Sequence, residues 1–182
     1  MRKMTLIVGC ALLLVGIVAG LALAKGPMAR AKLVDAQGNE VAQAYFTAVS
    51  AQRGVVSGVN ISLRVSKLPP GMHALHIHGV GQCEPPDFKS AGPHFNPHGK
   101  KHGIKNPEGA HLGDLPNIAV GADGTATVEV FAKGVIPLGE GTNSLFHPGG
   151  TSLVIHAKPD DEMTDPSGTA GDRIACGVIT QQ

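Results

Sequence analysis

The sequence predicts an all-β domain, an antiparallel sandwich or flattened barrel carrying two long functional loops. Three observations lead there. From residue 29 onward small or apolar side chains alternate with polar ones, the period of half-buried strands. No long stretch repeats apolar residues at helical spacing. Two irregular segments, residues 79 to 117 and 158 to 172, interrupt the strand rhythm, and loops of that length in a compact domain are usually functional.

A chain of 182 residues, 42 % hydrophobic and 16 % charged, is long enough for one domain with a sizeable core and too short to expect two. Residues 1 to 24 stand apart from it. Met1, Arg2, Lys3 and Met4 make a basic start, and residues 5 to 24, "TLIVGCALLLVGIVAGLALA", carry no charge. This is an export segment, read either as a signal peptide or as an N-terminal membrane anchor. Ala22-Leu23-Ala24 supplies the small residues of a cleavage site, whereas about 20 apolar residues also suffice to span a bilayer. Lipidation at Cys10, after Ile7-Val8-Gly9, is the weaker alternative, because little apolar chain precedes it. Export places the domain, residues 25 to 182, in the periplasm, cell envelope or extracellular space.

The first strands are "ARAKLVDA" (29 to 36), "EVAQAYFTAVS" (40 to 50) and "GVNISLRVSKL" (58 to 68), a meander with turns at "QGN" (37 to 39) and "QRG" (52 to 54). "MHALHIH" (72 to 78), "GTATVEVFA" (124 to 132), "SLVIHA" (152 to 157) and "RIACGVI" (173 to 179) continue the pattern. Removing Arg2 and Lys3 with the export segment takes the 15 basic residues to 13, against 14 acidic ones. A near-neutral body gives no footprint for nucleic acid. Cys10 lies in the export segment, so Cys83 and Cys176 are the one pair left in an oxidising compartment and are expected to be joined.

Nine histidines, His73, His76, His78, His94, His98, His102, His111, His147 and His156, sit in or beside strand ends and the long loop. Pro93, Pro97, Gly99 and Gly103 exclude a helical stripe of His94, His98 and His102, so the loop presents them individually. His76 and His78 flank Ile77 on a strand and share one face, a two-point metal grip. A lone strand histidine is usually a surface residue; an H-x-H pair beside a loop holding four more is not. Imidazole suits zinc, copper, iron and nickel. Three histidines with Asp114 make one closed tetrahedral zinc site feasible, and the surplus imidazoles point to a second metal. Spacing alone leaves His73, His98 and His147 open between ligand, hydrogen-bond donor and surface residue.

"HALHIHGVGQC", "GPHFNPHGKKHG", "AHLGDLPN", "LVIHAKPDD" and "GDRIACGVI", taken in order from about residue 29 to the C-terminus, resemble the copper/zinc superoxide dismutases of the bacterial, exported type. The resemblance implies an eight-stranded Greek-key flattened barrel, one copper and one zinc ion per subunit, and dismutation of the superoxide anion to oxygen and hydrogen peroxide. It implies His76, His78, His94 and His156 for copper, and His94, His102, His111 and Asp114 for zinc, with His94 bridging. Asp160 would orient a copper and a zinc histidine, Cys83 and Cys176 would form the family disulfide, and Arg173 would receive the substrate. The resemblance makes His94 and Arg173 the expected catalytic pair. Ala74 and Leu75 stand where the family more often has glycine and phenylalanine, and the second loop, with Lys158 as its one lysine, is acidic. Membrane attachment through residues 5 to 24, and a monomer or a homodimer, both stay open. Two rival readings remain: a copper- or zinc-holding protein of the same fold without turnover, and a surface scaffold that has no need of the imidazoles.

Overall fold

The computed structural model describes residues 28 to 50, 57 to 135 and 141 to 182. Residues 1 to 24, read from the sequence as an export segment, with Cys10, and the turn expected at 52 to 54 lie outside the described residues. Strands β1 (Ala29–Val34), β2 (Glu40–Val49) and β3 (Gly58–Val65) form the expected meander. Alternation sets their faces: Ala29, Ala31 and Leu33 are buried on β1 while Arg30 and Lys32 face water, and on β3 Val59, Ile61, Leu63 and Val65 point inward.

The expected single strand at 72 to 78 is two, β4 (Gly71–His73) and β5 (Leu75–His78). Ala74 breaks it because its N–H donates to the Lys158 carbonyl and its own carbonyl accepts from His156 N–H, so its backbone serves the second loop's side. β4 instead pairs with β6 (Ile118–Val120), a strand absent from the sequence expectation, in a separate two-stranded sheet. β7 (Ala126–Lys133), β8 (Ser152–His156), β9 (Arg173–Val178) and the two-residue β10 (Thr180–Gln181) complete the chain order. The main sheet runs β5-β8-β9-β1-β2-β3-β7, every pairing antiparallel, with β10 also on β1. The neighbours β9 and β1 come from opposite ends of the chain, so the sheet curls into a half-barrel with Phe46, Leu63, Leu75, Ile77, Leu153 and Ile155 in its core.

Two features hold the first long loop against this sheet. Ile77 N–H donates to Gly113 O and Phe95 N–H to Ile77 O, each at 2.9 Å, so the loop laces the free edge of β5. Glycine is required at 113, since a Cβ there would lie 2.1 Å from Ile77 O. Cys83 is joined to Cys176 on β9, with Cα atoms 5.6 Å apart. That bond closes a 93-residue span, worth about 4 to 5 kcal/mol in the chain-entropy model.

Candidate metal centre

Strand β5 is buried on both faces. Leu75 and Ile77 enter the core, which leaves His76 and His78 on the opposite face, beneath the loops. His156 ends β8, the strand paired with β5, and His94 is brought to His78 by a backbone bridge between the two residues. A register irregularity at Ile155/His156 sets Arg173 opposite His156. Sequence-distant residues thus meet because adjacent strand ends and the laced loop converge.

Each ring of this group has one nitrogen tied and one free. His76 Nε2–H donates to Asp160 Oδ2 at 2.7 Å, His78 Nδ1–H to Gly92 O at 2.9 Å, and His156 Nδ1–H to Gly171 O at 3.1 Å. The tautomers follow, because these oxygens can only accept. His76 Nδ1, His78 Nε2, His94 Nε2 and His156 Nε2 are then buried lone pairs with no hydrogen-bond partner among the described residues. Four such orphans facing one another would be costly in a protein interior unless a cation meets them. One donor atom from each ring lies within 4.8 Å of every other.

His94 turns its second nitrogen to a neighbouring set. Asp114 Oδ1 is 2.9 Å from His94 Nδ1, 3.1 Å from His102 Nδ1 and 3.2 Å from His111 Nδ1, and the His94 and His111 Nδ1 atoms are 3.4 Å apart. A tetrahedron with zinc-to-nitrogen bonds has edges of about 3.3 Å, so this donor set fits a zinc ion. Asp114 Oδ2 is occupied, accepting Gly103 N–H at 2.8 Å and His111 N–H at 3.0 Å, and Oδ1 is left for the metal.

Asp160 connects the two sets, accepting from His76 through Oδ2 and from His102 Nε2–H through Oδ1 at 3.0 Å. Asn117, which the sequence reading passed over, fixes it: Asn117 Oδ1 accepts Asp160 N–H at 2.7 Å and Asn117 Nδ2 donates to Asp160 O at 2.8 Å. The asparagine closes the "AHLGDLPN" motif, but its partner lies 43 residues away and no local spacing announces it. Gly168 permits the bridge, because a Cβ on its left-handed backbone (φ 62°) would fall 1.6 Å from Asp160 Oδ1.

Burial sets the charge states. It pushes His94 down to about 4, partly offset by the Asp114 hydrogen bond, and, with His76 alongside, pushes His156 down to about 3. His78 is held well below the ordinary value by burial and His94. Neutral imidazoles are the form that binds metal. Burial acts the same way on His102, but hydrogen bonds to Asp114 and Asp160 outweigh it and carry it up to about 9. For Asp114 and Asp160 burial acts to raise the carboxyl, and the imidazole hydrogen bonds overcome it and hold both well below the usual range.

Arg173 is half-buried, donating from Nη1 to Phe88 O at 2.6 Å and from Nη2 to Gly92 O at 2.7 Å. Gly92 O accepts from His78 as well, so one carbonyl fixes both the ring and the guanidinium. Lys89, from the first loop, lines a cleft with Arg173, although Asp87 pairs with it at 2.7 Å. The acidic second loop is therefore not the sole source of charge at the rim. Of the remaining histidines, His73 is a buried strut between His156 O and Pro69 O, each 2.8 Å from a ring nitrogen. His98 is exposed, the surface residue among the three alternatives left open for it. His147 is half-buried and stacks on Phe95, with ring centroids 5.1 Å apart and planes 4° from parallel, so it serves packing.

A curled antiparallel half-barrel that buries two abutting imidazole sets around one shared histidine defines a two-metal protein built on histidine nitrogen. The family model for copper/zinc superoxide dismutase matches residues 41–179. The Cu-Zn superoxide dismutase 2 of Aquifex aeolicus is 49 % identical over 152 residues, 83 % of this chain and 85 % of that protein. Among solved structures, a superoxide-dismutase-like protein from Bacillus subtilis is 37 % identical with a TM-score of 0.75, covering 82 % of this chain and 96 % of that one. The Cu/Zn superoxide dismutase from Brucella abortus is 28 % identical with a TM-score of 0.65, covering 83 % and 98 %. The chain belongs to the copper/zinc superoxide dismutase family. It is an oxidoreductase that uses copper and zinc to dismutate superoxide.

Proposed function

We propose that His76, His78, His94 and His156 hold the copper and that His94, His102, His111 and Asp114 hold the zinc. The observation that carries this is the set of four buried, partnerless nitrogens beside a near-tetrahedral group of four further donors. Bound copper supplies one-electron chemistry, so that two superoxide anions and two protons give one oxygen and one hydrogen peroxide. The chain's own groups do the rest. Arg173 offers the anion a guanidinium already fixed by two carbonyls, in a cleft of about 410 Å³ whose walls also include His78, His94 and His156. Burial strengthens that attraction relative to open water. His94 Nε2 faces the copper side and is the atom placed to take up a proton and deliver it to the reduced oxygen. Asp160 keeps the His76 and His102 rings turned to their metals.

Export belongs to the same reading: residues 1 to 24 direct the chain out of the cytoplasm and are cut after Ala24, in keeping with the basic start and the paired cysteines. N-terminal sequencing of the envelope fraction tests it, and a chain that keeps Met1 would make the segment an anchor. Metal content tests the residue assignment. His78→Ala should lose copper while keeping about one zinc, and His111→Ala should lose zinc first. Equal loss of both metals in both variants would contradict two separate donor sets.

A further inference from the structure

The two donor sets open to solvent through different clefts. The copper-side cleft is lined by His78, His94, His156, Pro166, Ser167 and Arg173, and reaches none of His102, His111 and Asp114. A second cleft of about 810 Å³, twice as large, is lined by His94, Phe95, His111, Thr142, His147 and Pro166. Pro93, His94 and Pro166 belong to both, so they form the partition. Within the zinc-side set His111 is the outermost side chain, 9 % exposed, against 4 % for His94, 1 % for Asp114 and 0 % for His102.

The geometry points to separate loading routes: the zinc-side cation enters and leaves through the larger cleft with His111 as its first ligand, and the copper-side ion uses the cleft beside Arg173. The inference rests on the residue assignment proposed above. A divalent cation must shed water in steps as ligands replace it, and one entering from the larger cleft meets His111 and the edge of His94 before the wholly buried His102. Approach from the copper side would require passage through the His94 ring, which is itself a ligand. The stacked pair of Phe95 and His147 gives the larger cleft a firm wall. Asp165 holds the partition from the other side, accepting His102 N–H at 2.6 Å and pairing with Lys101 at 3.0 Å.

Cobalt(II), which shares zinc's imidazole and carboxylate ligands, serves as the probe, because a tetrahedral cobalt site absorbs visibly. Uptake of one equivalent by the metal-free full chain is followed by stopped flow in the parent, in Thr142→Trp at the larger cleft and in Ser167→Trp at the smaller. Thr142→Trp should slow uptake about tenfold and reach the parent's final spectrum, while Ser167→Trp should leave the rate within about twofold, since a narrowed entrance alters a barrier and not the end state. The matching final spectrum shows that the variant is folded with its site intact. An unchanged rate in Thr142→Trp, or equal slowing by Ser167→Trp, overturns the separate routes. If the parent gives no tetrahedral spectrum, or His111→Ala leaves it intact, the residue assignment itself is overturned and the route with it.

Discussion

Asp160 shows how much a single carboxylate can organise. It takes one N–H from a ring of each set, and without it both rings would be free to rotate or change tautomer. Asp160→Asn should therefore weaken binding of both metals by about 10- to 100-fold in competition titrations, although the residue touches neither donor point. Arg173→Leu should leave metal content unchanged and lower kcat/KM about tenfold, with a flatter dependence on ionic strength. The ligand types were legible in the sequence because imidazole and carboxylate have few bland uses in such density. The grip of Asn117 on Asp160 was not legible, nor was the burial of His73 between two carbonyls, because both depend on backbone groups brought together from distant segments.

Among the elements, β5 determines the site. Its period of two separates Leu75 and Ile77 from His76 and His78, and its free edge receives the loop that carries His94 and Asp114. The lacing fails if the backbones cannot approach. Gly113→Ala would put a Cβ against the backbone oxygen of Ile77, which cannot give way as a side chain can, so it should cost about 1 to 3 kcal/mol and release zinc before the strands melt, as read by thermal unfolding alongside metal content. Alternation made β1, β2, β3 and β7 legible to within a few residues. It could not show the break at Ala74 or the pairing of β4 with the three-residue β6, since neither segment is long enough to display a period.

For the whole molecule, the curled sheet and the disulfide hold a loop-built centre that the metal-free chain must keep together against its own charges. His94 and His156, at about 4 and about 3, take up protons less readily than in an unfolded chain near 6.5, so the metal-free fold loses stability as pH falls below 6.5. The depressed Asp114 and Asp160 add to that acid loss at lower pH. His102 works in the opposite sense: its stabilisation is complete below 6.5 and disappears as pH rises through about 9. Thermal melting of the metal-free protein should therefore peak near neutrality and fall on both sides, and zinc, by replacing the proton at His102, should abolish the alkaline fall. The antiparallel class and the two loops were legible from composition and period, whereas the order that sets β9 beside β1 is a long-range pairing that no local pattern encodes.

The most direct test is superoxide-dismutating activity of the protein carrying one copper and one zinc, measured beside His78→Ala with copper and zinc occupancy determined in both. The parent should turn over rapidly, and His78→Ala should lose copper and activity together while retaining zinc. A parent fully occupied by both metals yet inactive would contradict the account and leave a metal-holding protein of the same fold.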